Sequence, residues 1–358
     1  MERTSVAVVM GGESGEREIS MISGSAIADA LDRTRFEVRP VVIRREGRWR
    51  VGRRALGEEE EFAAEGFPFE EASPSAAVER LAGLGTSVAF LALHGPRGED
   101  GVVQGLLELH RLPYTGSGVA ASALAMDKTL ARVVLRAAGI PVPEGFDETG
   151  PRYRAKRAEI LERAASAVGF PCYVKPASEG SSLGVRRVER AGDLPAAIEG
   201  ALSFGARFVV ERAIEGPEAT CGVLGNSLDE SLLPLPVVEI VPKRDGFFTM
   251  REKYDPAGAE ETCPPRTIPL TVQALVREQA TAAHRALRCD GMSRVDFRIS
   301  PEGLPFVLEV NTIPGFTPRS LLPKAAAVAG INFVELCARL VDAALRRFAA
   351  EPARARRV

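Results

Sequence analysis

Carboxylates lie on two apolar segments in the last fifth of the chain, where a purely structural strand would carry apolar side chains. Asp296 lies in SRVDFRI, and Glu309 and Asn311 lie in FVLEVNTIPG. Glu309 and Asn311 are two residues apart, so on a strand they share one face. Buried carboxylates need a compensating partner, and Mg²⁺ takes such oxygen ligands together with substrate phosphates. The pattern indicates either a magnesium site or a buried ion pair between Arg294 and Asp296.

A lysine at the end of another apolar segment precedes a loop of glycines and serines. Lys175 ends FPCYVK, Pro176 keeps that lysine extended, and SEGSSLG follows. Backbone N–H groups of such a loop can point at phosphate. The GxxxxGK[ST] pattern of a P-loop is absent, so a nucleotide site and an ordinary hairpin turn both remain open.

Two glutamates flank the apolar bend in FVVERAIEGPE. Glu211 and Glu218 are placed to seat a purine between strands and to offer a carboxylate to a ribose hydroxyl. The alternative is an exposed glutamate pair, because glutamates mostly lie at protein surfaces.

The elements that must position these residues alternate between strands and helices in the first third of the chain. Apolar, β-branched runs predict strands at residues 5–10, 36–43 and 87–93, and alternation with helices predicts a parallel sheet. The acidic stretch 58–74, broken by glycine and proline, predicts a surface excursion without chemistry. Further along, we predict helices at 120–138, 154–167 and 272–288, and strands at 170–175, 207–214, 293–300 and 305–310.

Size and composition limit the classes of protein. The 358 residues exceed the length of one hydrophobic core, so two or three domains are expected. The 46 basic and 48 acidic side chains nearly balance, at a formal net charge of -2, which is unlike a nucleic-acid-binding protein. No apolar stretch approaches the roughly 20 residues of a membrane helix, and glycines interrupt the amino-terminal apolar run. We therefore expect a cytoplasmic protein without a nucleic-acid or membrane partner.

Seven segments, in order along nearly the whole chain, resemble the ATP-grasp ligases and, within them, the D-alanine–D-alanine ligase family. The segments are GGESGEREIS, LALHGPRGEDGVVQGLLELHRLPYTGSGVAASALAMDK, FPCYVKPASEGSSLGV, VVERAIEGPE, EKYDP, SRVDF and LEVNTIPGFTPRSLLPKAA.

The resemblance implies an α/β protein with an ATP-grasp fold and an N-terminal Rossmann-like (preATP-grasp) parallel-sheet domain. The implied domains are 1–118, 119–216 and 217–358. The implied activity joins two D-alanines with ATP and two Mg²⁺ or Mn²⁺, for peptidoglycan precursor synthesis. ATP phosphorylates the first D-alanine carboxylate, and the amine of the second attacks the acyl phosphate. A homodimer through the first domain is implied as well.

The resemblance also implies roles for single residues around ATP and metal. Asp296, Glu309 and Asn311 match the two-metal site. Arg294 and the Gly315 backbone N–H match the donors that face the tetrahedral intermediate. The residues that match the ATP site are Lys128, Lys175, Ser181, Glu211, Arg212, Ile214, Glu218 and Lys253.

Other matches concern D-alanine and a lid. Glu16 matches the carboxylate that holds the first D-alanine ammonium, and His94 lies where the family has a histidine near that substrate's carboxylate, with a turn-capping histidine as the alternative. Ser320 and Leu321 match the neighbourhood of the second D-alanine. The resemblance further implies that Ser181 and Tyr254 join Glu16 in closing a lid by hydrogen bonds, with Lys253 reaching the terminal phosphate.

The lid segment FFTMREKY departs from the acidic and aromatic run that is common in the family, because it carries Met250 and Arg251. Tyr254 is kept, which favours an amino acid over a hydroxy acid as second substrate. Two alternatives stay open: a ligase that joins D-alanine to D-lactate or D-serine, and a nucleotide-binding regulatory protein without turnover, since fold does not fix function. The retained set argues against the second: Lys175, Arg294, Asp296, Glu309 and Asn311.

Overall fold

A computed structural model describes residues 3–178, 184–229, 231–242 and 259–350 of the chain. Within these ranges the strands form three sheets, and helices pack against them.

The first sheet has five strands in the order β4-β3-β2-β1-β5. β1 pairs in parallel with β2 and β5, which confirms the predicted parallel sheet, while β3 and β4 add antiparallel strands at one edge. The β1 side chains are buried after its first residue because both faces of the strand are covered. The elements are β1 (Thr4–Gly11), α1 (Arg17–Ala30), β2 (Phe36–Ile43), β3 (Trp49–Gly52), β4 (Phe69–Ala72), α2 (Pro74–Gly83), β5 (Val88–Leu91) and α3 (Val102–Leu109).

The second sheet has four antiparallel strands in the order β6-β9-β7-β8. Its own core contains buried side chains of β7, β9 and α8, among them Val174, Phe208 and Ile198. The elements are α4 (Val119–Met126), α5 (Lys128–Ala137), β6 (Gly145–Thr149), α6 (Gly150–Ala155), α7 (Arg157–Arg163), β7 (Cys172–Pro176), β8 (Arg186–Val188), α8 (Leu194–Leu202) and β9 (Arg207–Arg212).

The third sheet is antiparallel, in the order β13-β12-β10-β14-β15, with β11 paired to β10. The helix predicted over 272–288 covers it, beginning two residues earlier than expected. The elements are β10 (Glu218–Leu224), β11 (Leu233–Pro234), β12 (Val238–Pro242), β13 (Ala259–Thr262), α9 (Leu270–Ala286), β14 (Met292–Ile299), β15 (Pro305–Asn311), α10 (Leu321–Val328) and α11 (Phe333–Ala350).

The prediction of one helix over 120–138 is wrong. The chain leaves the helix at Asp127, whose backbone is extended and whose carboxylate accepts hydrogen bonds from the N–H groups of Thr129 and Leu130. Aspartate is a strong N-cap because it satisfies donors that a helix leaves open at its start. The break places Lys128 on the first residue of α5.

The single helix predicted over 154–167 is wrong as well. The chain forms α6 and α7 and then a π-helical turn, Ala164–Val168. The break comes at Lys156, whose φ and ψ of -130° and 39° are not helical. The acidic stretch 58–74 contains the edge strand β4, and Phe62 and Phe67 within the stretch are buried.

The last helix joins the third sheet to the first. Arg347 of α11 donates to the carbonyl oxygens of Tyr114 and Gly116 and lies 3.5 Å from the Asp290 carboxylate. Its guanidinium also lies 4.6 Å from the centroid of the Tyr114 ring. One hydrophobic core therefore contains residues of β1, β2 and β5 together with Leu340 of α11.

Within the described residues, no single helix is long and apolar enough to cross a membrane; α10 and α11 pass that test only as a pair that is bent by 104°.

Candidate active site

Four polar side chains share one face of the third sheet. Asp296 pairs with Glu309, and Arg294 pairs with Asn311, across the antiparallel strands β14 and β15. Paired residues, and residues two apart, point to the same side of a sheet. The register shifts between Asp296 and Phe297, so that Leu308 forms a bulge directly beside this group. Bulges commonly re-aim side chains next to active sites.

The ion pair that the sequence offered as an alternative is present. The Arg294 Nε and Nη2 atoms donate to the two Asp296 carboxylate oxygens at 2.8 and 2.7 Å. Asn311 Nδ2 lies 3.2 Å from Asp296 Oδ2. This bidentate pairing compensates the carboxylate charge, and it leaves further oxygen lone pairs for a ligand.

The donor set also fits a hard divalent cation. Asp296, Glu309 and Asn311 offer two carboxylates and an amide, which are the oxygen donors that Mg²⁺ prefers. Among the described residues no cluster of three His, Cys, Asp or Glu side chains forms a metal site. A cation here would therefore take its remaining ligands from substrate phosphates or water.

Lys128 reaches the same face from the start of α5. Its Nζ lies 3.7 Å from Glu309 Oε2, and its backbone N–H donates to Ala177 O at 2.9 Å. Ala177 directly follows β7, which carries Lys175. The N-terminus of α5 thus connects the acidic face of the third sheet with the lysine-bearing strand of the second.

Lys175 belongs to a buried cluster of two cations and one carboxylate. The Glu211 Oε1 atom pairs with Lys175 Nζ, and Oε2 accepts from Arg132 Nη1 at 2.7 Å. Lys175, Glu211 and Arg132 are all less than one-tenth exposed. The alternative of an exposed glutamate pair is therefore wrong for Glu211. Arg132 was not predicted, although its position four residues after Lys128, on a buried helix face, was a usable signal.

Glu218 lies beyond the bend that joins the second and third sheets. Glu218 Oε2 accepts from Arg298 Nη2 at 3.0 Å. Between the two glutamates, Ile214 is half-buried, while Arg212 is exposed and pairs with Glu144 at 2.8 Å. The structure thus places Glu211 and Glu218 on strands of different sheets, on either side of the bend.

Glu16 and His94 approach the acidic face from the first sheet. Glu16 precedes α1 and is 9% exposed, and His94 follows β5 and is buried. Burial lowers the pKa of His94, and the nearby Glu16 carboxylate opposes that shift. The His94 Nδ1 atom lies 2.9 Å from Ile313 O, so this nitrogen carries the hydrogen and donates to the carbonyl. His94 therefore holds the loop after β15 and does not cap its own turn.

Gly315 lies in that loop, and Ser320 ends it. The Ser320 Oγ atom accepts from the Thr317 N–H at 3.0 Å, and Leu321 is the first residue of α10. The Phe316 N–H donates to Ser23 Oγ of α1 at 3.3 Å. Together with His94, Ser23 fixes the loop from both sides of Gly315.

Glu99 is a cleft residue that the sequence reasoning missed. It lines the same small cavity as Lys128, Glu309 and Asn311. Burial, reinforced by the carboxylates of Glu16 and Glu309, raises the pKa of Glu99 to about 8. The signal was its place in HGPRGEDG, a glycine-rich loop at the carboxyl end of a parallel strand.

Three of the predicted site residues, Ser181, Lys253 and Tyr254, lie outside the described residues, as do Met250 and Arg251.

Nearly the whole chain can be superposed on solved structures. It matches the D-alanine–D-alanine ligase from Coxiella burnetii with a TM-score of 0.79 and 28% identity, over 97% of this chain and 96% of that one. It matches the D-Ala:D-Ser ligase from Enterococcus faecalis with a TM-score of 0.80 and 31% identity, over 96% of this chain and 100% of that one. A third match is the ATP complex of the D-alanine–D-alanine ligase from Bacillus anthracis, with a TM-score of 0.74 and 28% identity, over 97% of this chain and 99% of that one. The three sheets and the cleft between them define an α/β protein with the ATP-grasp fold of ligases.

Two family models identify the family within this class of ATP-grasp proteins. The model of the D-ala D-ala ligase N-terminus matches residues 5–117, and that of the C-terminus matches residues 134–342. The chain is 41% identical to the D-alanine–D-alanine ligase of Desulforudis audaxviator, over 96% of this chain and 99% of that protein. It is 39% identical to that of Moorella thermoacetica, over 95% and 99%. The chain belongs to the D-alanine–D-alanine ligase family.

Proposed function

We propose that this enzyme ligates two D-alanines to D-alanyl-D-alanine at the expense of ATP, for peptidoglycan precursors. The observation that carries the proposal is the convergence of two groups in one cleft. Glu16 and His94 come from the first sheet, and the face with Arg294, Asp296 and Glu309 comes from the third. Family membership over nearly the whole chain supports the same reaction.

The first step makes the carboxylate of one D-alanine electrophilic. A carboxylate oxygen attacks the γ-phosphorus of ATP, the bond to the β,γ-bridging oxygen breaks, and ADP leaves with its electrons. Lys128 and Lys175, on the first helical residue of α5 and on β7, are our candidates for holding the phosphates. Glu211, Arg212, Ile214 and Glu218 are our candidates for the adenosine pocket.

The second step forms the peptide bond. The amine of the second D-alanine attacks the acyl carbon, a tetrahedral intermediate forms, and inorganic phosphate leaves as the amine loses a proton. We assign the developing oxyanion to Arg294 and to the Gly315 N–H, which lie on β14 and on the loop after β15. Donors of this type typically contribute about 3 kcal/mol each.

Two Mg²⁺ or Mn²⁺ ions are part of the proposal, with Asp296, Glu309 and Asn311 as ligands. When bound, such ions neutralise charge on the transferring phosphoryl group. The chain's own part is to present these oxygen donors from paired strand positions, while the Arg294 guanidinium compensates the Asp296 carboxylate.

The amino acid sites complete the assignment. Glu16 is proposed to bind the ammonium of the first D-alanine, and His94, whose pKa is lowered by burial, is proposed to lie near the carboxylate of that substrate. Ser320 and Leu321, at the start of α10, are proposed to border the second D-alanine. Ser181, Tyr254 and Lys253 are proposed to close the lid that excludes water from the acyl phosphate.

We further propose a cytoplasmic homodimer that pairs through its first domain, with domains 1–118, 119–216 and 217–358. No nucleic-acid or membrane partner is part of the proposal. Light scattering tests the dimer, and a monomer at micromolar concentration would contradict it.

The second substrate has one specific competitor. The D-Ala:D-Ser ligase of Enterococcus faecalis superposes as well as the D-alanine–D-alanine ligases do, so the fold alone does not choose between D-alanine and D-serine. The 41% and 39% identities to the D-alanine–D-alanine ligases of Desulforudis audaxviator and Moorella thermoacetica, against 31% to the D-Ala:D-Ser ligase, favour D-alanine. The two solved D-alanine–D-alanine ligases are 28% identical to the chain, so the product has to be measured.

The deciding experiment is identification of the product by mass spectrometry after incubation with ATP, Mg²⁺ and D-alanine. We expect D-alanyl-D-alanine and one phosphate per dipeptide, and no stimulation of phosphate release by D-lactate. In a parallel incubation that contains D-serine as well as D-alanine, D-alanyl-D-serine as the main species would replace the proposal with its competitor. Glu309→Gln should lose turnover without losing the fold, because a metal ligand is removed; full activity in this variant would contradict the metal assignment.

A further inference from the structure

The cluster of Lys175, Glu211 and Arg132 contains more than the predicted ATP-binding residues. Each oxygen of the Glu211 carboxylate has its own cation: Lys175 is on Oε1, and Arg132 is 2.7 Å from Oε2. Glu211 is only 3% exposed, so water does little to screen its charge.

This arrangement creates a difficulty for nucleotide binding. If Lys175 turns its ammonium from Glu211 to a phosphate of ATP, a carboxylate in a buried position loses one of its partners. An uncompensated buried charge is expensive, at several kcal/mol. A second cation that stays in place removes most of that penalty.

Arg132 is built to stay in place. Its Nη2 atom donates to Pro143 O at 2.8 Å while Nη1 holds Glu211, so the planar guanidinium is fixed at two points. The arginine lies on α5, four residues after Lys128, and its side chain is buried. Arg132 therefore links α5, the helix that carries Lys128, to Glu211, which is the ion-pair partner of Lys175.

We propose that Arg132 is a positioning residue for nucleotide binding: it holds and neutralises Glu211, so that Lys175 is free to move from this carboxylate to the phosphates of ATP. Arg132 itself contacts neither substrate nor the reacting atoms. The inference rests on the proposed function only in that ATP is the ligand.

The experiment measures the dissociation constant of the non-hydrolysable analogue AMP-PNP with Mg²⁺ by titration calorimetry, without D-alanine. Arg132→Met should weaken binding by about tenfold or more, and Arg132→Lys should recover part of it because the charge returns. Arg136→Met is the matched control: Arg136 lies on the same helix and donates to the same Pro143 O at 3.1 Å, yet it is exposed. The control should bind within twofold of the parent.

Steady-state rates give a second readout. The KM for ATP should rise in Arg132→Met while kcat stays within about threefold, because Arg132 does not touch the reacting groups. A fall in kcat with an unchanged KM and an unchanged dissociation constant would overturn the proposal. So would unaltered AMP-PNP binding in a folded Arg132→Met protein.

A double-mutant comparison separates positioning from a general structural role. In Glu211→Gln the side chain is neutral, so adding Arg132→Met should change the dissociation constant by less than twofold. A fivefold or larger effect in that background would refute the compensation argument, and this comparison remains decisive if Arg132→Met alone is too unstable to assay. If the parent protein itself binds no AMP-PNP, the proposed function fails first, and the two failures are thereby distinguished.

Discussion

The packing of the protein around Gly315 does not by itself require a glycine at this position. Among the described residues, the nearest atom to a Cβ placed there is Ser320 Oγ at 3.5 Å, an ordinary contact distance. A methyl group at this position therefore meets no obstacle until a ligand approaches the backbone N–H. Under the proposed role of Gly315, the requirement for glycine comes from the bound intermediate.

Gly315→Ala should consequently keep the stability of the parent and lose about 100-fold in kcat, the scale expected when a reacting group is displaced by about 1 Å. Thermal unfolding and initial rates measure the two effects. Gly192→Ala is the control, because within the described chain no atom lies within 4 Å of its Cβ position. Equal rates in both variants would remove Gly315 from the site.

Some residues of the site could be predicted from the sequence, and others could not. The acidic face was predictable because Asp296, Glu309 and Asn311 lie on local patterns with a period of two residues. The pairing of Arg132 with Glu211 was not, because it joins positions 79 residues apart, and no local pattern reports such a contact. The raised pKa of Glu99 comes first from burial and then from two carboxylates of distant segments, and it was hidden for the same reason.

At the scale of elements, α1 positions the loop after β15. The Ser23 hydroxyl of α1 accepts from the Phe316 N–H and lies 3.4 Å from His94 Nε2. His94 in turn donates to Ile313 O. Two hydrogen bonds from the first domain thus bracket the loop that carries Gly315.

Ser23→Ala should lower kcat about tenfold, because the loop loses one of its two anchors, and should leave AMP-PNP binding unchanged. The cost in unfolding free energy should be about 1 kcal/mol, as for one buried hydrogen bond. Ser122→Ala is the control because it also removes one buried hydrogen bond: the Ser122 hydroxyl donates to Ser117 O at 3.3 Å. An equal fall of kcat in Ser122→Ala would show that the loss of any such buried hydrogen bond lowers kcat.

The buried His284 connects α9, β14 and the segment that follows β10. His284 of α9 lies 2.8 Å from Ser293 Oγ of β14 and 3.2 Å from Gly225 O after β10. Burial lowers the pKa of His284 to about 4. Between pH 6.5 and 4 the unfolded chain binds a proton that the folded protein does not, so stability falls as the pH falls through this window.

Because of this histidine, the free energy of unfolding should be about 2 kcal/mol lower at pH 5 than at pH 7.5. Urea unfolding at the two pH values, compared between the parent and His284→Gln, isolates the contribution, because glutamine does not titrate. An identical pH dependence in both proteins would show that the pKa of His284 is the same in the folded and unfolded states.

Helix boundaries were the least predictable elements. The apolar run over 120–138 fits one helix by periodicity, and only the capping geometry of Asp127 divides it. The two antiparallel strands β14 and β15 were predicted nearly to their ends, because their apolar runs are short and closed by glycine, proline or serine.

At the scale of the whole molecule, Arg347 holds the joint between the first and third sheets. It has two backbone carbonyl partners, a carboxylate at 3.5 Å and an aromatic ring, all from segments far away in sequence. Gly291 meets Gly116 at this joint, where a Cβ on Gly291 would lie 3.2 Å from the Gly116 nitrogen. The backbones therefore touch directly.

Arg347→Met should lower the free energy of unfolding by about 2 to 3 kcal/mol, since several partners lose a partly buried cation at once. Urea denaturation measures the change. Arg346→Met, at the exposed neighbouring position on α11, should stay within about 0.5 kcal/mol of the parent. Matching losses in the two variants would mean that helix propensity and not the joint is responsible.

The position of α11 in the core of the first sheet has a consequence for synthesis. Leu336, Leu340 and Val341 pack with the apolar side chains of β1, β2 and β5, yet they are synthesised well after these strands. The first sheet is therefore made early and stays uncovered on that side until α11 has left the ribosome. During this interval the nascent chain exposes apolar surface that favours association between chains, so the yield of native enzyme depends on how well neighbouring nascent chains are kept apart.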